Sequence, residues 1–81
     1  MTDRERLDAI IRESLDLDAA PLADIAYGET ASWDSVAHLM LASAIEEGFG
    51  ITLEGDDVVA MTDHAAIIRI LRDRHGLELD D

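Results

Sequence analysis

Ser35 is the residue of this sequence best placed to carry chemistry. It lies in the run SWDSVAHL (residues 32–39), where Asp34 is a typical N-cap and a helix is predicted to begin. A serine in the first turn of a helix exposes its hydroxyl, and the unpaired backbone N–H groups of that turn carry partial positive charge. A phosphate ester on Ser35 would be stabilised there by a few tenths to about 1 kcal/mol. The position therefore suits a phosphate-linked modification.

The sequence shows no base that would activate this hydroxyl. His38 follows one helical turn later, but the sequence assigns no geometry to the pair. No convergent set of acid, base and nucleophile is visible elsewhere, so an enzyme active site is the least favoured interpretation. We expect Ser35 to be modified by another protein.

Metal-binding patterns are weak. The three histidines, at positions 38, 64 and 75, lack the paired spacing of zinc motifs, and no cysteine supports them. Surface or capping roles are expected for them. Asp16-Leu17-Asp18 and Asp56-Asp57 resemble fragments of calcium loops without the required glycine and closing glutamate. Weak binding of divalent cations stays open, because it would relieve carboxylate crowding; an unchanged melting temperature with magnesium in low salt would contradict it.

The charge is strongly negative and unevenly distributed. The chain carries 19 acidic and 6 basic residues, for a net charge of −13. All the basic residues are arginines, and none lies between Arg12 and Arg69. The intervening residues 13–68 hold twelve acids. Such a field repels nucleic acids and anionic lipids and attracts basic protein surfaces. We expect protein partners, no nucleic acid and no membrane; an acidity that only maintains solubility is the simpler alternative.

Length and composition indicate one small domain. The 81 residues form a single predicted domain, 1–81, with an acidic tail over about residues 77–81. Cysteine is absent, so any thiol chemistry must come from an attached group. The charged first residues lack the apolar core of a secretory signal, and the apolar runs are far shorter than the roughly 18 residues of a membrane helix. A cytoplasmic monomer is expected.

A first helix and a long loop are predicted to precede Ser35. Thr2 and Glu5 fit a capping box, which predicts a helix over about residues 3–16. Turn and breaker residues then predict a loop over residues 17–33. The loop is expected to be pinned against the rest of the protein, because it is rich in apolar residues: Leu17, Leu22, Ile25 and Tyr27.

The helix that begins at Ser35 is predicted to span residues 35–47. Asp34 is its N-cap, and Gly48 is the expected terminating residue. Trp33 is expected to pack on the first turn near His38. The helix is apolar around much of its circumference, which is typical of a helix contacted on several sides.

Two further helices are predicted. Asp56 and Asp57 open a third helix of one or two turns. Thr62 is the expected N-cap of the last helix, with Asp63 adding favourable charge to its first turn, and Gly76 ends it. The sequence therefore predicts an all-α fold.

These residues together resemble the acyl carrier protein family. The resemblance rests on the helix start at Asp34-Ser35, the turn EEGFGI (residues 46–51) one helix length later and the short capped segment after it. It spans about residues 7–71. It implies a small acyl-carrier-like four-helix bundle with a short third helix and a long loop between helices 1 and 2.

The resemblance also implies a function. In that family a phosphopantetheinyl transferase moves phosphopantetheine from coenzyme A to the serine, here Ser35, and Asp34 and Val36 would help to present it. An acyl or aminoacyl group is then carried as a thioester from a loading ligase to downstream transferases or synthases. The protein would be a shuttle and not an enzyme.

The sequence departs from the family pattern around this serine. Val36 replaces the usual leucine, and Trp33 replaces a small residue. The exposed side of the second helix offers few acids, which predicts partly apolar partner recognition and a stand-alone carrier for a specialised pathway, such as polyketide or aminoacyl transfer. The residues predicted to contact partners are Trp33, Ala37, His38, Met40, Asp56 and Asp57.

Two alternatives stay open. An apolar cargo could be sheltered between the second and third helices, although the residues that would line such a site are also explained as plain core: Leu39, Ile45, Val59 and Met61. The rival function is an acidic helical adaptor or nucleic-acid mimic that binds a basic protein and has no prosthetic group, which the composition supports equally well.

Overall fold

The computed structural model describes residues 2–17 and 21–79. Over these residues the only β-type pairing is one isolated bridge. The predicted all-α class is confirmed. The helices are α1 (Asp3–Ser14), a 3₁₀ helix (Leu22–Asp24), α2 (Ser35–Phe49), α3 (Gly55–Ala60) and α4 (His64–His75).

The capping box of α1 is present as predicted. The Glu5 N–H donates to Thr2 Oγ1 at 3.1 Å, and the Thr2 N–H donates to Glu5 Oε1 at 3.0 Å. The hydrogen bond from the Thr2 backbone, followed by that from its side chain, lowers the pKa of Glu5. The helix ends at Ser14 with Leu15 as its C-cap, two residues before the predicted end. Asp16 takes the left-handed conformation (φ 53°), which aspartate tolerates better than most residues and which stops the helix.

The connection between α1 and α2 is pinned by apolar side chains. Leu22 and Ile25 are buried, and Leu17 packs partly against the core. The loop is also attached by its backbone, because the Tyr27 N–H donates to the Thr62 carbonyl at 2.8 Å. The loop is therefore fixed to the segment that precedes α4.

Helix α2 continues through the residue predicted to end it. Gly48 lies inside the helix, which ends at Phe49, and Gly50 is the left-handed C-cap with φ 66°. The predicted stop at Gly48 is wrong because this glycine serves packing: a Cβ there would lie 2.7 Å from Ile10 Cδ1 on α1. Gly48 thus allows α1 and α2 to approach closely.

Helix α4 begins at a different cap from the one predicted. Asp63 is the N-cap, and its Oδ1 accepts the Ala66 N–H at 2.8 Å. Thr62, the predicted cap, lies in the preceding turn, where its N–H donates to the Ala60 carbonyl at 2.9 Å. The predicted end is confirmed, since Gly76 is a left-handed C-cap with φ 71°.

The core is built from helices and loop together. Each fully buried aliphatic or aromatic side chain contributes about 1.5–3 kcal/mol to stability. No helix among the described residues is long and apolar enough to span a membrane. The most deeply buried apolar residues are Leu7, Ile11, Leu15, Trp33, Leu41, Ile45, Met61, Ile67, Leu71 and Leu79.

Candidate functional site

The structure places Ser35 as the first residue of α2, with its side chain open to solvent. Asp34 is the N-cap, and its Oδ1 accepts the Ala37 N–H at 2.9 Å. The Asp34 carbonyl accepts the His38 N–H, also at 2.9 Å. The N–H groups of Ser35 and Val36 precede the first intrahelical donors and point towards the start of the helix. The serine oxygen therefore lies at a positively polarised, accessible helix end.

Tyr27 is a part of this site that the sequence did not reveal. Its phenol oxygen lies 3.1 Å from Ser35 Oγ, and either atom could be the donor. The two residues are 8 positions apart across an irregular loop, so no periodicity connects them. The only signal in the sequence is that Tyr27 belongs to the apolar residues expected to pin that loop, and its side chain is in fact 40% exposed. The structure shows that the same side chain reaches the serine.

His38 uses both of its ring nitrogens in hydrogen bonds. The Trp33 Nε1–H donates to His38 Nδ1 at 2.9 Å, and an indole nitrogen can only donate. Nδ1 is therefore unprotonated, so Nε2 carries the proton and donates to the Val58 carbonyl at 2.7 Å. With both ring nitrogens engaged, His38 is not available as a general base for Ser35 in this arrangement.

The predicted contact between Trp33 and the first turn of α2 is present, but its predicted role towards partners is wrong. Trp33 is 1% exposed. Its indole ring lies near His38, with ring centroids 5.9 Å apart, and its N–H is satisfied there. Trp33 therefore organises the start of α2 from inside the protein.

Several predicted partner-facing residues are accessible. Met40 is 59% exposed, Asp56 is exposed, and Ala37 and His38 are partly buried. The side of α2 that carries Met40 is more apolar than predicted, because Val36 and Leu39 are also largely exposed. A shallow groove along this face is lined by Val36, Leu39, Met40, Ser43, Ala44 and Glu47.

Asp57 was predicted to face partners, and this is wrong because its side chain is buried. His75 Nε2 lies 2.9 Å from Asp57 Oδ2, which also accepts the Glu54 N–H at 3.1 Å. Arg74 Nη1 lies 2.8 Å from Oδ1, as an ion pair without hydrogen-bond alignment. The hydrogen bond from His75 lowers the pKa of Asp57, with smaller contributions from Glu54 and Arg74, against burial, which raises it. Asp57 therefore connects α3 to α4.

The four residues proposed to shelter a cargo do not line one cavity. Leu39 and Val59 are 63% and 79% exposed, whereas Ile45 and Met61 are completely buried in the core. A different groove of about 230 Å³ lies between the loop and α3, beside the Ser35 site. It is lined by Tyr27, His38, Val58, Val59 and Thr62.

The histidines have structural partners. His64 Nε2 lies 2.9 Å from Asp8 Oδ1, and His64 is buried, so the predicted surface or capping role is wrong for this residue. His75 bonds Asp57 in the same way. Among the described residues, no group of three or more histidines, cysteines or acids could hold a metal ion. Asp18, part of one predicted calcium-loop fragment, lies outside the described residues.

Comparisons with protein-family models, with curated proteins and with solved structures gave no match.

Proposed function

We propose that this chain is a carrier protein of the acyl-carrier type, with phosphopantetheine attached to Ser35. The observation that carries the proposal is the exposed Ser35 hydroxyl at the first position of α2, with Tyr27 beside it. The polarised N–H groups and the phenol are hydrogen-bond donors that suit an anionic phosphodiester. The arm, when attached, supplies a thiol that holds an acyl or aminoacyl group as a thioester.

The attachment is a phosphoryl transfer to Ser35. The serine oxygen forms a bond to the phosphorus that bears pantetheine in coenzyme A, and the bond from that phosphorus to the pyrophosphate bridge oxygen breaks. The electron pair leaves with adenosine 3′,5′-bisphosphate, and the serine proton passes to a base of the phosphopantetheinyl transferase. Because His38 is occupied by Trp33 and Val58, an external base fits this chain.

The surroundings of Ser35 also suit a partner that docks and leaves. The exposed residues Val36, Leu39 and Met40 form an apolar face directly after the serine on α2. The long acidic segment adds attraction towards basic surfaces, which speeds encounter more than it strengthens the complex. We infer that the transferase, a loading ligase and downstream transferases or synthases bind this face. An apolar contact surface on α2 suits a carrier for a specialised biosynthetic pathway better than an acidic contact surface would.

The test is a mass measurement on intact protein. The natural chain and Ser35→Ala are incubated with coenzyme A and a broad-specificity phosphopantetheinyl transferase. We expect one added phosphopantetheine on the natural chain and none on Ser35→Ala. Thr52→Ala is the matched control, because Thr52 carries an exposed hydroxyl beyond the far end of α2, and it should still be modified.

A natural chain that gains no mass, while an established carrier in the same reaction is modified, would contradict the proposal. That result would favour the acidic adaptor that binds a basic protein without a prosthetic group. Equal modification of the natural chain and Ser35→Ala would place the arm on another residue and would also overturn the assignment.

A further inference from the structure

We propose that Tyr27 is the positioning residue for the arm on Ser35. This inference rests on the proposed function. The Tyr27 phenol holds the serine oxygen before transfer and donates a hydrogen bond to the phosphodiester afterwards. The basis is the contact of 3.1 Å between the Tyr27 hydroxyl and Ser35 Oγ.

Tyr27 is held in place independently of Ser35. Its backbone N–H donates to the Thr62 carbonyl at 2.8 Å, which fixes the loop against the segment before α4. Its ring packs edge-on against His38, with centroids 4.9 Å apart, and against Trp33, with centroids 6.2 Å apart. These aromatic contacts are themselves stabilising. The phenol oxygen is therefore presented to Ser35 by a preformed support.

Modification fixes the direction of this hydrogen bond. In the free chain both hydroxyls can donate, so the bond can run either way. Esterified Ser35 has no hydroxyl proton, which leaves the Tyr27 phenol as the only possible donor of the pair. The phosphodiester oxygens beside it are anionic and are stronger acceptors than a neutral hydroxyl. Tyr27 then donates to the phosphodiester.

The same contact prepares the serine for transfer. When the phenol donates to Ser35 Oγ, the serine proton is left free to point towards the base of the transferase. Losing a neutral hydrogen bond of this kind should lower kcat for transfer roughly 2- to 10-fold, with little change in KM, because the docking surface on α2 is untouched.

Tyr27 also connects the serine to the groove beside it. Tyr27 lines the groove together with Val58 and Val59, while its hydroxyl contacts Ser35. A hydrogen bond from this phenol fixes the phosphodiester next to the groove mouth. The first atoms of the arm are therefore held, even though the rest of it extends from an exposed residue.

The test compares Tyr27→Phe with the natural chain in two measurements. The first is the ³¹P NMR chemical shift of the phosphodiester on the loaded protein, and the second is the kcat and KM for transfer to the unloaded protein. Phenylalanine keeps the ring that packs on Trp33 and His38 and removes only the hydroxyl. Thr52→Val is the matched control, because it deletes an exposed hydroxyl beyond the far end of α2.

We expect the ³¹P resonance to move in Tyr27→Phe and to stay in place in Thr52→Val. A second probe uses the fact that the chain has one tyrosine, so 3-fluorotyrosine labels only this site. The fluorinated phenol is a stronger donor, and the resonance should move in the direction opposite to that in Tyr27→Phe. This probe retains the ring and the hydroxyl, so it still tests the proposal if the Tyr27→Phe protein is poorly folded.

An unchanged ³¹P shift in the fluorotyrosine protein would overturn the role of Tyr27. The role of Tyr27 would also be overturned if a folded Tyr27→Phe protein kept both the ³¹P chemical shift and the kcat of the natural chain. Either result leaves the carrier function intact, since the arm is present. A natural chain that accepts no arm at all contradicts the carrier function itself, so the two failures are distinguishable.

Discussion

At the residue scale, the start of α2 depends on the bond between Trp33 and His38. The indole N–H is buried, and His38 Nδ1 is the acceptor it reaches. His38 also supplies the proton that the Val58 carbonyl accepts. One side chain therefore satisfies two groups from different parts of the chain, and its loss leaves both without that partner.

We expect His38→Ala to lower the free energy of unfolding by about 1–3 kcal/mol, because a buried donor loses its partner. Urea unfolding at neutral pH measures this change. Modification of Ser35 in the folded fraction should persist, since His38 is not the base. Abolished modification in a well-folded His38→Ala protein would contradict this assignment.

The matched comparison is a double-mutant cycle with Trp33→Phe. Phenylalanine retains most of the buried ring and has no N–H to leave unpaired. His38→Ala should therefore cost less in the Trp33→Phe background than in the natural chain. Equal costs in both backgrounds would show that the hydrogen bond contributes nothing.

At the element scale, most helix ends that adjacent residues decide were predictable, but the start of α4 was not, because Thr62 and Asp63 are both favourable N-cap residues. Thr2 with Glu5, Asp34 and Gly76 act through local hydrogen bonds or backbone conformation, and each was identified from the sequence. Gly48 could not be recognised as a packing residue, because its role depends on Ile10, which is far away in sequence. A glycine that ends a helix and one that lets another helix approach look the same in one dimension.

The candidate site was also predictable only in part, for the same reason. Ser35 and its cap follow from adjacent residues, whereas the contact with Tyr27 depends on the path of an irregular loop. Asp56 and Asp57 are neighbours of the same type, yet one is exposed and the other is buried against α4. Which of two adjacent acids faces inward is set by the orientation of a helix of only 6 residues, and that orientation comes from tertiary packing.

Asp57, which connects α3 to α4, should make the stability of the fold depend on pH in the acid range. The hydrogen bond from His75 is the largest cause that lowers the pKa of Asp57 in the folded state. Because the folded-state pKa lies below the unfolded-state value, Asp57 stabilises the fold above the unfolded-state pKa. This contribution is lost as the pH falls through the folded-state pKa, that is, below about pH 4.

We expect Asp57→Asn to be less stable than the natural chain at pH 7, by about 1–3 kcal/mol, because the charge-assisted bond to His75 and the ion pair with Arg74 are lost. The difference should shrink as the pH falls below about 4, where the natural carboxylate itself becomes protonated. Urea unfolding across this pH range measures both. Asp56→Asn, at the exposed neighbour, is the control and should show neither effect; a constant gap for Asp57→Asn would contradict the linkage.

At the scale of the whole molecule, charge is separated by sequence position and is only partly neutralised. Two arginines near the N-terminal end make structural contacts: Arg4 Nη1 donates to the Leu79 carbonyl and Arg6 Nη1 donates to the Gly48 carbonyl, each at 3.2 Å. Near the other end, Arg74 pairs with Asp57 of the middle segment at 2.8 Å. Such contacts leave the net charge of −13 unchanged, so the excess acids repel one another, and the proposed basic partners would relieve this repulsion.

This self-repulsion should make thermal stability depend on salt. The molecule measures 30 × 27 × 19 Å, and the screening length is about 30 Å at 0.01 M salt but only about 10 Å at 0.1 M. At the lower concentration acids therefore repel one another across the entire protein, whereas at the higher one only near neighbours do.

We expect the melting temperature to rise by roughly 5–10 °C between these conditions in NaCl, which corresponds to about 1–2 kcal/mol for a domain of this size. A double variant with Asp56→Asn and Glu47→Gln lacks two exposed acids. Its melting temperature should rise less with added NaCl than that of the natural chain. A melting temperature that is flat or falls with NaCl would show that favourable ion pairs outweigh the repulsion, and a further rise in MgCl₂ at matched ionic strength would indicate specific binding of the divalent cation.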